Sequence, residues 1–429
     1  MARGREDLVA GLTASAVVLP KAMAYATIAG LPVTVGLVTA LIPPLVYALL
    51  GSSAVLSVSS TTTLAILVGS ALNGLGPAAA APEGRLAASA ALSLLVGGML
   101  LLASLLRLGF VANFISESVL VGFKSGIGLV IALDQLPKLL GVSIGKEGFF
   151  RDLAAVVGHL GDTSLPTLAL SLGLIGLLVG LPRLAPRVPA PLVAVVAAVA
   201  LSALLGVERF GIDLVGAVPR GLPAPVLPPL EQLGALWPAA IGIALMSFTE
   251  SIAAARAFAD ENEPRPQADR ELFALGAANL AGAGFGAMAA GGGTSQTAVN
   301  RRAGARSRRA GVVSAALALA TLLLLAPLIG RLPQAALAAV VVVTSFDLIA
   351  PREFLAIRRV RHQEFRWAVF ALAGVVLLGT LKGILVAVVL SLLALAQQEM
   401  RPPVYAIARK PGTDVFRPRS AEHPDDETW

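Results

Sequence analysis

Three glycines run into hydroxyl and amide side chains at Gly291-Gly292-Gly293-Thr294-Ser295-Gln296-Thr297-Ala298-Val299-Asn300, which is the composition of an anion cradle. Glycine lets backbone N–H groups converge on one point, and a helix starting there adds positive potential. A nucleotide P-loop would end in Gly-Lys-Ser/Thr, and Gln296 and its neighbours supply no lysine. The competing reading is a packing surface, since glycines also let helices approach closely. Ionisable residues in apolar surroundings add to the chemistry, because a mid-span charge costs roughly 2.5–3.5 kcal/mol on insertion scales and must face a cavity, a partner or headgroups. Lys21 lies halfway along the first apolar segment, one helical turn before Tyr25 and on the same face. It can lend positive charge to an anion, or it can snorkel towards a helix end. Glu250 follows Thr249 deep in another segment. Beside an anion it would repel the substrate unless it took up a proton, which suits a proton-coupling group. The alternative is a structural pair with a neighbouring base. Lys124 and Asp134 share one segment but stand nearly three turns apart, beyond direct pairing. Lys124 is expected to pair across a helix interface, and Asp134 to be solvated near the outer end.

The elements that position these residues follow from composition. Of 429 residues, 56% are hydrophobic and only 14% charged, with mean hydropathy +0.81, so the chain reads as an all-α polytopic membrane protein. Long unalternating apolar runs exclude a transmembrane β-barrel. The absence of cysteine removes disulfides, thiolate metal ligands and a thiol nucleophile. His159, His362 and His423 are far apart, and no metal, cofactor or enzyme motif is expected. The first apolar segment follows Arg3, Arg5, Glu6 and Asp7 without a cleavage site and reads as a first span rather than a signal peptide. The net charge of +7 sits in loops, as a membrane protein demands, and does not point to nucleic acid.

Segments long enough to cross fall near 8–28, 33–50, 54–72, 86–106, 111–136, 164–181, 189–206, 234–257, 270–287, 293–304, 310–330, 333–349, 365–381 and 383–399. With a cytoplasmic N-terminus, these 14 transmembrane segments put most lysines and arginines on the cytoplasmic side, including Arg301, Arg302, Arg306, Arg308, Arg309, Arg352, Arg358 and Arg359. That segregation obeys the positive-inside rule with both termini cytoplasmic. The basic run after residue 300 is accordingly read as a topology determinant facing anionic lipid. Segments 3 and 10 are irregular: Leu56-Ser57-Val58-Ser59-Ser60-Thr61-Thr62-Thr63 is β-branched and hydroxyl-rich, and segment 10 is the glycine stretch. Both are expected to be short extended pieces leading into half-helices. They hold matching places in two sets of seven, and an odd repeat inverts the second set. Paired interrupted spans in a 7+7 inverted repeat are the best sequence pointer to a transporter binding site.

The run Pro20-Lys21-Ala22-Met23-Ala24-Tyr25-Ala26, followed by Ala29-Gly30-Leu31-Pro32, Gly36-Leu37, Pro43, Tyr47 and Gly51-Ser52-Ser53, resembles the signature of the sulfate permease (SulP) family of anion transporters. Further matches are Ser116, Val119, Gly122-Phe123, Gly126 and Gln135-Leu136, then Glu250-Ser251-Ile252 with Ala257-Phe258-Ala259, and Thr294 to Asn300 with Gly304-Ala305. The resemblance implies a core domain from residues 1–110 and 234–331, a gate domain from 111–206 and 332–400, and an external loop at 207–233. It implies a small anion, such as sulfate, bicarbonate, chloride or a dicarboxylate, held between segments 3 and 10. The residues expected to bind it are Lys21, Tyr25, Ser60, Thr61, Gly293, Thr294, Ser295 and Gln296, with Glu250 for proton coupling. The expected partners are the anion, a proton, membrane lipid and a second copy in a homodimer, in a bacterial cytoplasmic membrane. An anion channel or uncoupled exchanger is the alternative, and a nucleobase permease a more distant one. Lys21 stands where the family usually has Gln, and Gln296 where many members have Arg. Residues 401–429 read as a linker and the truncated start of the cytoplasmic STAS region, with a first strand at Gly412-Thr413-Asp414-Val415-Phe416-Arg417.

Overall fold

The computed structural model describes residues 2–428 apart from 77–80, 115, 146–147, 187, 222–223, 229, 261–262, 350, 361, 401–406, 414 and 419–426. The loop cations Lys146, Arg187, Arg361, Arg401 and Arg419 lie outside the described residues, as does Asp414 of the expected strand. In chain order the elements are α1 (Ala2–Ile28), α2 (Val33–Thr39), α3 (Ile42–Leu50), β1 (Val58–Ser59), α4 (Thr62–Asn73), α5 (Pro82–Leu105), α6 (Glu117–Leu140), α7 (Phe149–Gly158), α8 (Leu165–Leu184) and α9 (Ala190–Leu205). They continue as α10 (Leu233–Ala257), α11 (Ala268–Ala283), β2 (Gly291–Gly292), α12 (Thr294–Arg302), α13 (Arg309–Ala320), α14 (Ala326–Gly330), α15 (Gln334–Ile349), α16 (Pro351–Val360), α17 (His362–Leu378) and α18 (Thr380–Met400). Three tail strands follow, β3 (Ile407–Arg409), β4 (Phe416–Pro418) and β5 (Glu427–Thr428).

Every expected apolar segment contains a helix. Eight helical stretches among the described residues are long and apolar enough to cross a membrane, from Arg5–Ile28 to Gln334–Arg359. The other segments hold helices that are shorter or less apolar, α4 and α12 among them. Those two are short because each starts from an extended piece inside the fold: β1 pairs antiparallel with β2, Val58 opposite Gly292 and Ser59 opposite Gly291. This is a multi-pass helical membrane protein.

Hydrogen bonds between helix ends fix the two ends of the bundle. At one end, Asp7 of α1 accepts from Arg306 N and Ser307 N, Arg308 donates to Gly51 O after α3, and Ser104 of α5 donates to the Asp269 carbonyl of α11. Ser118 of α6 donates to Glu364 of α17 there, and Ser125 to the last carbonyls of α15. At the other end, Arg85 of α5 donates to Ala29 O after α1 and to Asn73 at the end of α4, while Leu214 bridges Pro333 before α15. Half-helix α12 ends at the first of these faces, where Arg301 pairs with Asp260 and Glu263. Half-helices α4 and α12 therefore run in opposite directions from a common start.

Small residues set the spacing. A side chain on Gly97 of α5 or Gly276 of α11 would put its Cβ 2.8 Å from the backbone nitrogen of Leu280 or Leu101, so the two helices touch backbone to backbone. Apolar packing alone drives little association in lipid, and such close approach supplies dispersion contact instead. One packed group joins α5 with α10 and α11, and a second joins α6 with α15 and α17. The tail strands form an antiparallel sheet in the order β4-β3-β5. The strand expected from Gly412 starts later than the sequence suggested: Gly412 has φ +71 and sits in the turn, with Thr413 donating to Lys410 O, so pairing begins at Phe416.

Candidate functional site

Irregular backbone at membrane depth must find its hydrogen-bond partners inside the protein. Here buried side chains provide them. Asn279 of α11 takes the Ala290 N–H on its Oδ1 at 2.8 Å and donates its amide to the Ala290 carbonyl at 3.0 Å. Ser251 Oγ accepts from Gly292 N at 2.6 Å, and Thr39 Oγ1 accepts from Met288 N at 3.1 Å. On the other piece, Ser57 N donates to Thr297 Oγ1 at 3.2 Å, and Asn300 donates to Val55 O at 2.8 Å. Glycine lets Leu56 lie close at the pairing itself, where a Cβ on Gly292 would come 2.6 Å from Leu56 Cδ1 and force that side chain to shift.

A cavity of about 360 Å³ opens against the first turns of both half-helices. Lys21, Tyr25, Thr61, Gly293, Thr294, Ser295, Gln296 and Glu250 all line it, as the sequence led one to expect. Ser60 does not: it is fully buried behind the wall, its carbonyl accepts from Gln296 Nε2 at 2.9 Å, and its hydroxyl has no hydrogen-bond partner among the described residues. Thr294 and Ser295 are the exposed residues of the α12 start, and among the described residues no side chain caps that helix. The residues of its first turn, whose N–H groups are the orphans of any helix start, line the cavity, and the positive half-charge of the helix end lies beside it. Lys21 Nζ donates to Ser295 Oγ at 3.3 Å, which brings the first segment's charge to that same helix start.

The α4 start is held differently. Thr61 caps it by accepting from Leu64 N at 3.3 Å. The same hydroxyl donates to Glu250 Oε2 at 3.1 Å, and Thr63 donates to Glu250 Oε1 at 2.8 Å. Gln296 is a clasp between the two pieces, accepting from Ser59 Oγ at 3.1 Å while its amide holds Ser60 O. An arginine in its place could donate to Ser60 but could not accept from Ser59.

Lys124 pairs across a helix interface as expected, its Nζ 3.6 Å from Glu250 Oε1 on α10, and it also lines the cavity. It is the neighbouring base weighed as a partner for Glu250. The basic run after α12 is not simply turned to lipid, since Arg301 makes bonds of 2.7 and 2.9 Å to Asp260 and Glu263 and Arg308 holds Gly51 O. The sequence reading also missed Asp347 and Glu353, which line the cavity from α15 and α16, because span ends and loops are where carboxylates are ordinarily solvated. Glu271 was missed as well. Fully buried, it accepts from Tyr47 Oη, Ser52 N, Ser52 Oγ and Ser53 N, pinning α11 to the turn after α3. The Gly51-Ser52-Ser53 motif carried that signal, as the small residues wrap a carboxylate.

Broken helices meeting start to start around a polar cavity, in a multi-pass helical membrane protein, are the architecture of secondary transporters. The sulfate permease family matches residues 5–371, and the chain belongs to that family. It is 38% identical over 411 residues to a probable sulfate transporter of Mycobacterium tuberculosis, covering 95% of this chain and 73% of that protein. Among solved structures, a murine solute carrier 26 family anion transporter, member A9, in the inward-facing state superposes with a TM-score of 0.86 at 25% identity, over 96% of this chain and 72% of that one. The transmembrane domain of a cyanobacterial bicarbonate transporter gives 0.77 at 25% identity, over 90% of this chain and 97% of that domain.

Proposed function

We propose that the protein is a secondary active carrier of a small anion, sulfate being the first candidate, coupled to protons. The observation that carries this reading is the uncapped α12 start, with Thr294 and Ser295 open to the cavity and Lys21 beside them. Helix-start N–H groups and a lysine recognise negative charge more than shape. The anion lodges between the α4 and α12 starts, and Glu250, held by Thr61 and Thr63, takes the coupled proton.

In this reading the chain makes fourteen traverses in two inverted sets of seven. The end-to-end hydrogen bonds support it, because successive helices lead alternately to the two ends. The group of α5, α10 and α11 belongs to the core, and that of α6, α15 and α17 to the gate. The end that carries Arg301, Arg306 and Arg308 faces the cytoplasm by the positive-inside rule, and the cavity reaches that side through Asp347 and Glu353. A second cavity of about 380 Å³ lies between Asn73, Asp134, Phe149 and Thr380 towards the opposite end. Alternating access then shifts the half-helix starts from one cavity to the other. A homodimer is part of the same reading.

The test is uptake of radiolabelled sulfate, bicarbonate, chloride and a dicarboxylate into proteoliposomes, with and without an inward proton gradient. Saturable uptake of one anion that the gradient accelerates supports the carrier. Ion currents that do not saturate and ignore the gradient would replace it by a channel. Uptake of none of these anions would remove the reading.

A further inference from the structure

The Glu250–Lys124 pair spans two packed groups, since Glu250 sits on α10 and Lys124 on α6. The two side chains are 7% and 24% exposed, so the carboxylate is nearly enclosed while the ammonium keeps a face to the cavity. Lys21 lines the same cavity from α1. We propose that Lys124 is a second anion-binding group, and that the charge on Glu250 decides whether it is available. Ionised Glu250 holds the ammonium. A proton on Glu250 releases it to the substrate.

This rests on the anion-carrier reading above and deepens it. The titratable groups facing the cavity are Lys21 and Tyr25 from α1, Lys124 from α6, Glu250 from α10, Asp347 from α15 and Glu353 from α16. With all carboxyl groups ionised, three carboxylates outnumber two lysines, and an entering anion meets a net negative wall. One proton on Glu250 balances that wall and sets one lysine free at the same time. The hydroxyls of Thr61 and Thr63 suit both states. A hydroxyl donates to a carboxylate and can turn to accept from a carboxylic acid, so the neutral side chain keeps its place without another base. The proton comes from the external solution, the side from which the anion enters, and leaves Glu250 for the cytoplasm after the anion has gone, when Lys124 returns to the carboxylate. Nothing else need move for anion and proton to favour one another. Because binding linkage is reciprocal, the anion must strengthen proton uptake by the factor by which the proton strengthens anion binding.

The test is equilibrium binding of radiolabelled sulfate to the detergent-purified full chain at mildly acidic and mildly alkaline pH. The parent is expected to bind about ten-fold more weakly at alkaline pH, within the usual range for coupled sites. Glu250→Gln is expected to bind tightly at both pH values. Lys124→Met is expected to bind weakly with a flattened pH profile, Lys124→Arg to restore the profile, and Glu250→Gln/Lys124→Met to match Lys124→Met. Should Lys124→Met fail to fold by gel filtration, Glu250→Gln alone decides: no tightening at alkaline pH overturns the competition. A double variant that keeps the tight binding of Glu250→Gln overturns it too, as does Lys124→Met with the parent's pH profile. A parent that binds neither sulfate nor, in the same assay, bicarbonate, chloride or a dicarboxylate at any pH would instead remove the carrier reading itself.

Discussion

The two half-helices start from pieces that pair in one small antiparallel ribbon, yet they are built from opposite materials. The piece before α4 is rich in β-branched and hydroxyl residues, Leu56 to Thr63, and the hydroxyls of Ser59, Thr61 and Thr63 are committed. Ser59 donates to Gln296, Thr61 caps Leu64 N and reaches Glu250, and Thr63 reaches Glu250 from its other side. The piece before α12 is glycine, and the residues that follow it, Thr294 and Ser295, are left open with no side-chain cap. One start is pre-satisfied and holds a carboxylate. The other has no side-chain cap among the described residues and meets Lys21 through Ser295. Side-chain chemistry divides the two starts: the α4 start grips the Glu250 carboxylate and the α12 start opens to the cavity, which in the proposed function are the proton site and the anion site.

Substitutions can break that division at either start. The largest effect is expected from Gly293→Val. Even a Cβ there lies 3.1 Å from Gln296 Cδ, and valine would drive the clasp off Ser59 and Ser60 while filling the approach to α12. Uptake should be lost at matched levels of folded protein. Next is Gln296→Ala, which takes the amide donor from the buried Ser60 carbonyl and leaves it the longer bond from Ser59 Oγ at 3.3 Å, at a cost of about 1–1.5 kcal/mol, read as a lower melting temperature in detergent. Thr61→Ala removes a cap worth about 1 kcal/mol. It also takes one hydroxyl from Glu250, so it should alter the pH dependence of uptake more than the KM. Smallest is Lys21→Gln, which should raise the KM about five-fold, equivalent to about 1 kcal/mol, while transport persists. Equal uptake by Gly293→Val and the parent would return the glycine stretch to a packing surface and erase the difference between the two starts.

Much of this was legible in the sequence because membranes make irregularity expensive. A glycine run and a hydroxyl run in matching spans can persist only where partners or a cavity satisfy them, so Gly293 to Gln296 and Thr61 were visible as a pair. Lys21 and Glu250 stood out for the same reason, as charges at mid-span. What stayed hidden depends on contacts between distant segments. Ser60 and Thr61 are adjacent and chemically alike, and only the turn of the chain into α4 decides that one is buried behind the wall and the other lines it. Lys124 was seen as a buried charge, but its partner lies 126 positions away on α10, and helix periodicity carries no register between spans. Asp347 and Glu353 sit where loops begin, and nothing local separates a cavity mouth from solvent.

The central claim is that the anion sits between the two half-helix starts. Selenate, a sulfate-like dianion with an anomalous scatterer at its centre, tests it most directly in crystals of the full chain. The account predicts one strong anomalous peak in the cavity, within hydrogen-bond reach of the Thr294 to Gln296 N–H groups and of Lys21. A peak confined to the Arg301 to Arg309 surface, with the cavity empty at saturating selenate, would contradict it.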